Sequence, residues 1–283
     1  MGADSMRISP KFFGLVITLS FYASVSVNAF SQSITWEKYN MAGTEALARG
    51  DYIEAETQLK AALKEASNFS LEDQRLTETI NNLARLYRSQ NRLDEAETLY
   101  RRVLSITEAN LGPEHPDVAA SLNNLALLLY TKGKYAEVAP LLQRVLSIAE
   151  KTQGPEYPDL APRLTNLAQV YRILKKYAEA ESLYLRALKI KEKTLGPEHL
   201  GVSGALDNLS ALYYTEKKYA EALPFLRRSL AIKKRAFGPR NLQVAIALEN
   251  YADALQKMRR RAEAAELRAQ AKNIWAEVMR TKK

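Results

Sequence analysis

Cysteine is absent from this chain of 283 residues, and histidine occurs only twice. Without thiols there is no disulfide framework, no thiolate zinc site, no cysteine nucleophile and no lipid-modified cysteine. The two histidines, His115 and His199, have no carboxylate constellation around them and read as turn residues. No Gly-rich phosphate loop, HExxH or GxSxG motif occurs, so the sequence predicts no catalytic residue, no metal site and no cofactor. Glycine (11) and proline (10) are too few for a collagen-like or low-complexity chain, and 47% hydrophobic residues suffice for a folded core. Acidic residues are in the minority, 32 against 41 Lys and Arg, and the formal net charge of +9 raises the question of an anionic partner. The basic groups Lys175-Lys176, Lys217-Lys218, Lys233 to Arg235 and Arg259 to Arg261 are spread out, and aromatic interleaving is missing. They read as solvated turn charge rather than as a nucleic-acid face, with an anionic envelope surface or polymer as the alternative partner.

A long uninterrupted apolar run is missing as well. Behind Arg7 and Lys11, the uncharged stretch Phe12 to Val27 is broken by Thr18, Ser20, Ser24 and Ser26, and is short of the roughly 20 apolar residues a span needs. Val27-Asn28-Ala29 places small residues where signal peptidase requires them, so residues 1–29 are expected to be a secretory leader, cleaved after Ala29. An uncleaved anchor is the other reading. The expected location is periplasmic or secreted, with no transmembrane span left after cleavage.

What is present is a period. Gly112-Pro113, Gly154-Pro155, Gly196-Pro197 and Gly238-Pro239 recur at intervals of 42 residues. Asn82, Asn124, Asn166, Asn208 and Asn250 keep the same step, as do Leu93, Tyr135, Tyr177, Tyr219 and Arg261, each followed two residues later by Glu. A divergent first copy, Tyr52-Ile53-Glu54-Ala55, lies 41 residues before Leu93. Within a unit, Val118, Leu122, Leu125, Ala126 and Leu129 form one helical stripe, and Val138, Leu141, Leu142, Val145 and Ile148 form another. Lys132-Gly133-Lys134 separates them, Gly112 is placed to end the preceding helix at positive φ, and Pro116 with Asp117 suits the next helix start. One hairpin cannot cover its own apolar faces, so units must stack and the terminal one must change: Arg261, Arg268 and Lys272 stand where earlier units are mostly apolar. The organisation expected is a leader (1–29), a linker (30–35), six helix-turn-helix units over 36–278 (36–68, 69–110, 111–152, 153–194, 195–236, 237–278) and a basic tail (279–283).

Leu122, Leu125-Ala126, Tyr171, Ala180, Tyr184 and Ala187 stand in the signature places of the tetratricopeptide repeat (TPR). The segment LGPEHPDVAASLNNLALLLYTKGKYAEVAPLLQRVL, beginning at Leu111, resembles the 42-residue subclass found in kinesin light chains and many bacterial proteins. The resemblance implies an all-α fold, a right-handed α-solenoid, with a concave face lined by the first helix of each unit and holding an extended peptide. It also implies a protein or peptide partner, and a scaffold rather than an enzyme.

Turning 100° per residue, Asn124 points about 150° from the centre of its helix's apolar stripe, so it is expected off the core. Asn is a mediocre helix former. A row of amides at repeat spacing can pair with the N–H and C=O groups of any peptide, and related proteins of the subclass use such a row in that way. Duplication, or bonds to the neighbouring helix, would also account for it. The rest of that face varies from unit to unit, with Arg85, Leu127, Gln169, Ala211 and Asp253 at one level and Arg88, Tyr130, Arg172, Tyr214 and Gln256 at the next. The expected peptide-binding residues are Asn82, Asn124, Asn166, Asn208, Asn250, Arg85, Arg88, Tyr130, Arg172 and Tyr214. Charge along the face is polarised, from Arg85, Arg88 and Arg172 to Asp207, Glu249 and Asp253, which would orient a ligand. Solvated pairs such as Asp253 with Lys257 are the alternative.

Overall fold

A computed structural model describes residues 32–281, all of whose regular elements are helices. The expected leader, residues 1–29, lies outside them. The chain divides into two units, one running to Pro113 and the other from Glu114. The first holds α1 (residues 32–49), α2 (Tyr52–Ala66), α3 (Gln74–Ser89) and α4 (Leu93–Leu111). The second holds α5 (Pro116–Thr131), α6 (Tyr135–Gln153), α7 (Leu160–Ile173), α8 (Tyr177–Leu195), α9 (Leu200–Thr215), α10 (Tyr219–Phe237), α11 (Leu242–Lys257) and α12 (Arg261–Thr281). Two boundaries differ from expectation. Residues 32–35 belong to α1 rather than to a linker, anchored by Ser33 Oγ accepting from Arg75 Nη1 at 2.7 Å, and the tail is helical as far as Thr281.

Each helix pair closes on the same backbone motif. The first helix ends with an N–H donating five residues back: Arg92 to Tyr87 (2.8 Å), Lys134 to Leu129 (2.9 Å), Lys176 to Tyr171 (2.8 Å), Lys218 to Tyr213 (2.8 Å) and Arg260 to Leu255 (3.0 Å). This capping arrangement requires positive φ at the residue before the donor. That residue is Asn91, Gly133, Lys175, Lys217 or Arg259, with φ between 61° and 72° for the first two and 60°, 62° and 63° for the others. The second helix ends on Gly112, Gly154, Gly196 or Gly238. Their φ values of 78° to 91° are joined to ψ values of 150° to 162°, a region open in practice to glycine alone and more extended than a left-handed helical turn.

First helices start on a side-chain acceptor 42 residues apart: Asp73 to Arg75 N (2.9 Å), His115 Nδ1 to Asp117 N (3.2 Å), His199 Nδ1 to Gly201 N (3.0 Å) and Asn241 to Gln243 N (2.8 Å). Both histidines are thus the turn residues expected. Tyr157 holds the same place before α7 and caps nothing, and α7 has 14 residues where α5, α9 and α11 have 16.

Packing follows the stripes read from sequence. Val118, Leu122, Leu125, Ala126 and Leu129 are all buried, and so are Val138, Val145 and Ile148, with Leu141 and Leu142 half-buried. In the second unit Ala222, Leu223, Leu226, Leu230, Val244, Leu248, Tyr251, Ala252, Leu255, Ala264 and Ala271 form one cluster across α10, α11 and α12. Arg261, Arg268 and Lys272 are exposed on α12, as a terminal helix facing water requires. Along one edge of this unit the inter-pair turns are tied to the second helices by ion pairs at the repeat step: Glu114–Lys151, Glu156–Lys193, Glu198–Arg235 (2.6 Å) and, with both signs exchanged, Arg240–Glu277 (2.8 Å).

Candidate binding surface

The first helices of the second unit present two concavities at the ends of their groove-side positions. One, of about 250 Å³, is lined by Asn123, Leu127 and Tyr130 of α5, Val138 and Leu142 of α6, and Asn166 and Gln169 of α7. The other, of about 360 Å³, is lined by Arg172 of α7, Asp207, Ala211 and Tyr214 of α9, Leu226 of α10, and Asn250 and Asp253 of α11. Both hollows lie on the face singled out by helical periodicity, and larger concavities of about 520 and 550 Å³ lie elsewhere, against α6 and α8.

Each hollow has an aromatic wall fixed from behind. Tyr130 packs edge-on against Tyr135, with ring centroids 5.1 Å apart, and Tyr214 packs in the same way on Tyr219 at 5.1 Å. Tyr135 and Tyr219 are the first residues of their second helices, so the repeat's own turn sets the position of the groove tyrosine. Arg172 Nη1 lies 3.5 Å from Thr215 Oγ1. Its guanidinium also stands by the phenol of Tyr184: burial pushes that hydroxyl up, and Arg172 works against the rise.

The five asparagines do not share one environment. Asn166 and Asn250 are exposed in the first and second hollow respectively, while Asn124 on α5 and Asn208 on α9 are half-buried. None of these four makes a side-chain hydrogen bond among the described residues. Asn82, in the first unit, corrects the expectation. It is 7% exposed, its Nδ2 donates to Asn40 Oδ1 at 3.0 Å, and Arg85 Nη1 lies 3.5 Å from its Oδ1. Asn40 in turn donates to Glu78 Oε1 at 2.7 Å. Asn82 is a brace between α1 and α3, the bond to a neighbouring helix that the sequence reading had kept as an alternative. Asn40 is itself a sixth member of the row, 42 residues before Asn82, hidden in the sequence because the second helix of that pair is out of step by one residue. Arg85 is exposed and Arg88 half-buried, both beside the buried Tyr100, whose phenol is pushed up by burial against their charge.

The acidic side of the face is largely compensated. Asp207 accepts from Ser229 Oγ (2.6 Å) and Lys233 Nζ (2.7 Å), Asp253 pairs with Arg268 (2.6 Å), and Glu249 accepts from Trp275 Nε1 (2.9 Å). Two readings change here. Lys233, taken as solvated turn charge, is 8% exposed and buried against α9, and Asp253 is held by α12 rather than by Lys257. The register of Lys233 carries a partial signal of its burial, since Thr107 and Ala149 at the same repeat position are buried while Lys191 is half-buried. Among the described residues there is no cluster of His, Asp or Glu able to hold a metal ion, and no helix long and apolar enough to cross a membrane.

A tetratricopeptide repeat profile matches residues 33–109, 75–151, 139–193, 160–235 and 205–277. A solved structure of kinesin light chain nearly identical TPR-like repeats from Podosopora anserina is 29% identical, with a TM-score of 0.63 over 71% of this chain and 95% of that one. BtubC (BKLC) from P. vanneervenii is similar at 22% identity and TM-score 0.62, covering 87% of this chain and 92% of that one. Pseudomonas aeruginosa pilF is similar at 20% identity and TM-score 0.53, over 89% and 100%. At 22% and 20% identity the likeness is one of fold. No curated protein matches the chain.

Proposed function

The chain belongs to the tetratricopeptide repeat family, and from that premise we propose that it is an exported, non-catalytic adaptor holding an extended segment of a partner protein along the first helices of its second unit. The observation that carries this is the pair of hollows, each with an unbonded amide beside a fixed tyrosine: Asn166 with Tyr130, and Asn250 with Tyr214. An amide that no neighbour satisfies, on a face where Asn weakens the helix, is suited to the N–H and C=O groups of an extended chain. The tyrosines add apolar area at small entropic cost, and Arg172, in the wall of the second hollow, supplies a cation near the ligand path. Asn124 and Asn208 contribute less in this reading, and Asn82 nothing. Export rests on residues 1–29; amino-terminal sequencing of the periplasmic fraction should begin at Phe30, and a chain still starting at Met1 or Met6 refutes the cleavage.

The groove is tested with peptides selected from a displayed random library on the wild-type protein. Asn166→Ala with Asn250→Ala should weaken the selected peptides about fivefold or more, since each lost amide pair is worth about 0.5–1.5 kcal/mol. Asn82→Ala should leave peptide affinity unchanged and lower the melting temperature. Unchanged affinity in the double variant rejects the groove.

A further inference from the structure

We propose that the edge of the second unit formed by the turns within its helix pairs, centred on Lys175, Lys217 and Arg259, docks on an anionic phospholipid surface. Three observations meet there. These residues occupy the positive-φ position of three successive turns, where φ is 60°, 62° and 63°. The same position holds Asn91 and Gly133 in other pairs, the residue types that take this conformation at least expense. A long cation set there three times in succession is kept against local preference, and such an outlier points to function. All three are exposed and make no side-chain hydrogen bond or ion pair among the described residues.

The second observation is the contrast between edges. On the opposite edge one turn position meets a counter-charge at every repeat, Glu114, Glu156 and Glu198 pairing with a cation, and where that position becomes Arg240 its partner becomes Glu277. On the proposed edge Lys134, Lys218 and Arg260 have carboxylates, whereas the cation beside each of the last two, on the left-handed residue, has none. The third is what the strip lacks. No large apolar side chain is exposed in these turns, and Tyr219, beside Lys217, is packed on Tyr214 instead of offering an open ring face for base stacking. Unpaired cations at regular spacing along turns, without an apolar wedge or stacking platform, fit a headgroup layer contacted electrostatically and reversibly.

The test uses the full chain with vesicles of phosphatidylcholine alone and of phosphatidylcholine and phosphatidylglycerol in equal parts, and any lipid affinity of residues 1–31, Arg7 and Lys11 included, is common to wild type and variant. The variant is Lys175→Gly/Lys217→Gly/Arg259→Gly. The phosphatidylglycerol-dependent gain in affinity should fall about a hundredfold, from about fivefold per cation, and vanish for the wild type at high salt. The variant's melting temperature should be equal or higher, because glycine suits the conformation. Retention of the gain within a factor of about two overturns the proposal. So does a wild type with no such gain, or one that binds duplex DNA more tightly than the anionic vesicles. The groove is not touched by these changes: peptide affinity unaltered while vesicle binding falls separates the two surfaces.

Discussion

Glycines and caps carry much of the repeat at the level of single residues. Gly154 has φ 91° and ψ 157°, and a Cβ built on it would meet nothing within 4 Å. The penalty for Gly154→Ala is therefore backbone strain alone, about 1–3 kcal/mol, and should appear as a lower melting temperature. An unchanged melting temperature would show that the turn can relax. Asp73 is a second case. It caps α3 and takes a two-pronged bond from Arg75, whose guanidinium holds the carboxyl below its ordinary value of 3.8. A carboxyl depressed in the folded state contributes stability above its unfolded pKa and loses it as pH falls through the folded value. Asp73→Asn keeps a cap acceptor and removes the charge facing Arg75, so it should lower stability by up to about 1 kcal/mol at neutral pH, with the gap to wild type closing as the pH is taken below 3.8 in chemical denaturation. The glycines were legible in the sequence because Gly-Pro recurs at 42. Lys175, Lys217 and Arg259 were read only as turn charge, since a left-handed lysine is imposed by the capping bonds around it and has no signature of its own.

Between elements, the pairing of α9 with α10 depends on Lys233, whose ammonium reaches Asp207 from a buried position. Asp207→Ala should leave that cation inside the structure without a partner and destabilise by about 2–3 kcal/mol, below the usual cost of about 3–5 kcal/mol for a fully buried pair because Asp207 is itself over a third exposed. Asp207→Ala with Lys233→Met should restore most of the loss, since the lysine stem already packs there. A single variant as stable as wild type, measured by urea titration, would place Lys233 in water. Periodicity located both helices and the face on which Asp207 lies. It did not reveal that the acid faces inward as much as outward, because register assigns a position and not the partner that arrives from the next helix. The asparagine row shows the same limit. One row of identical residues contains a brace at Asn82, half-buried members at Asn124 and Asn208, and open amides at Asn166 and Asn250, according to what each neighbouring helix offers.

Across the whole molecule, the repeat step passes unbroken through Pro113 and Glu114, so the division into two units leaves no mark in the sequence. The all-α class and the paired helices are legible there, since an apolar stripe on each of two short helices admits no other way of covering itself. In such a stack each pair is stabilised by its neighbours, and the effect of one lesion depends on its place. Ala168 and Ala252 hold equivalent positions on α7 and α11, both fully buried. An arginine at either forces a charge into the same close crossing, at a local penalty of about 3 kcal/mol or more. Ala252→Arg should be absorbed by opening α11 and α12, because only the terminal pair need separate from the stack. Hydrogen exchange should then accelerate in Leu242–Thr281 while α5 to α8 keep their protection. Ala168→Arg offers no such outlet. Opening α7 and α8 also removes a neighbour from α5–α6 and from α9–α10, so protection should fall throughout the second unit and its melting temperature should drop further than in the terminal variant. Equal and uniform loss of protection in both variants would mean that the second unit melts as one block, and that the nearest-neighbour account of its stability fails.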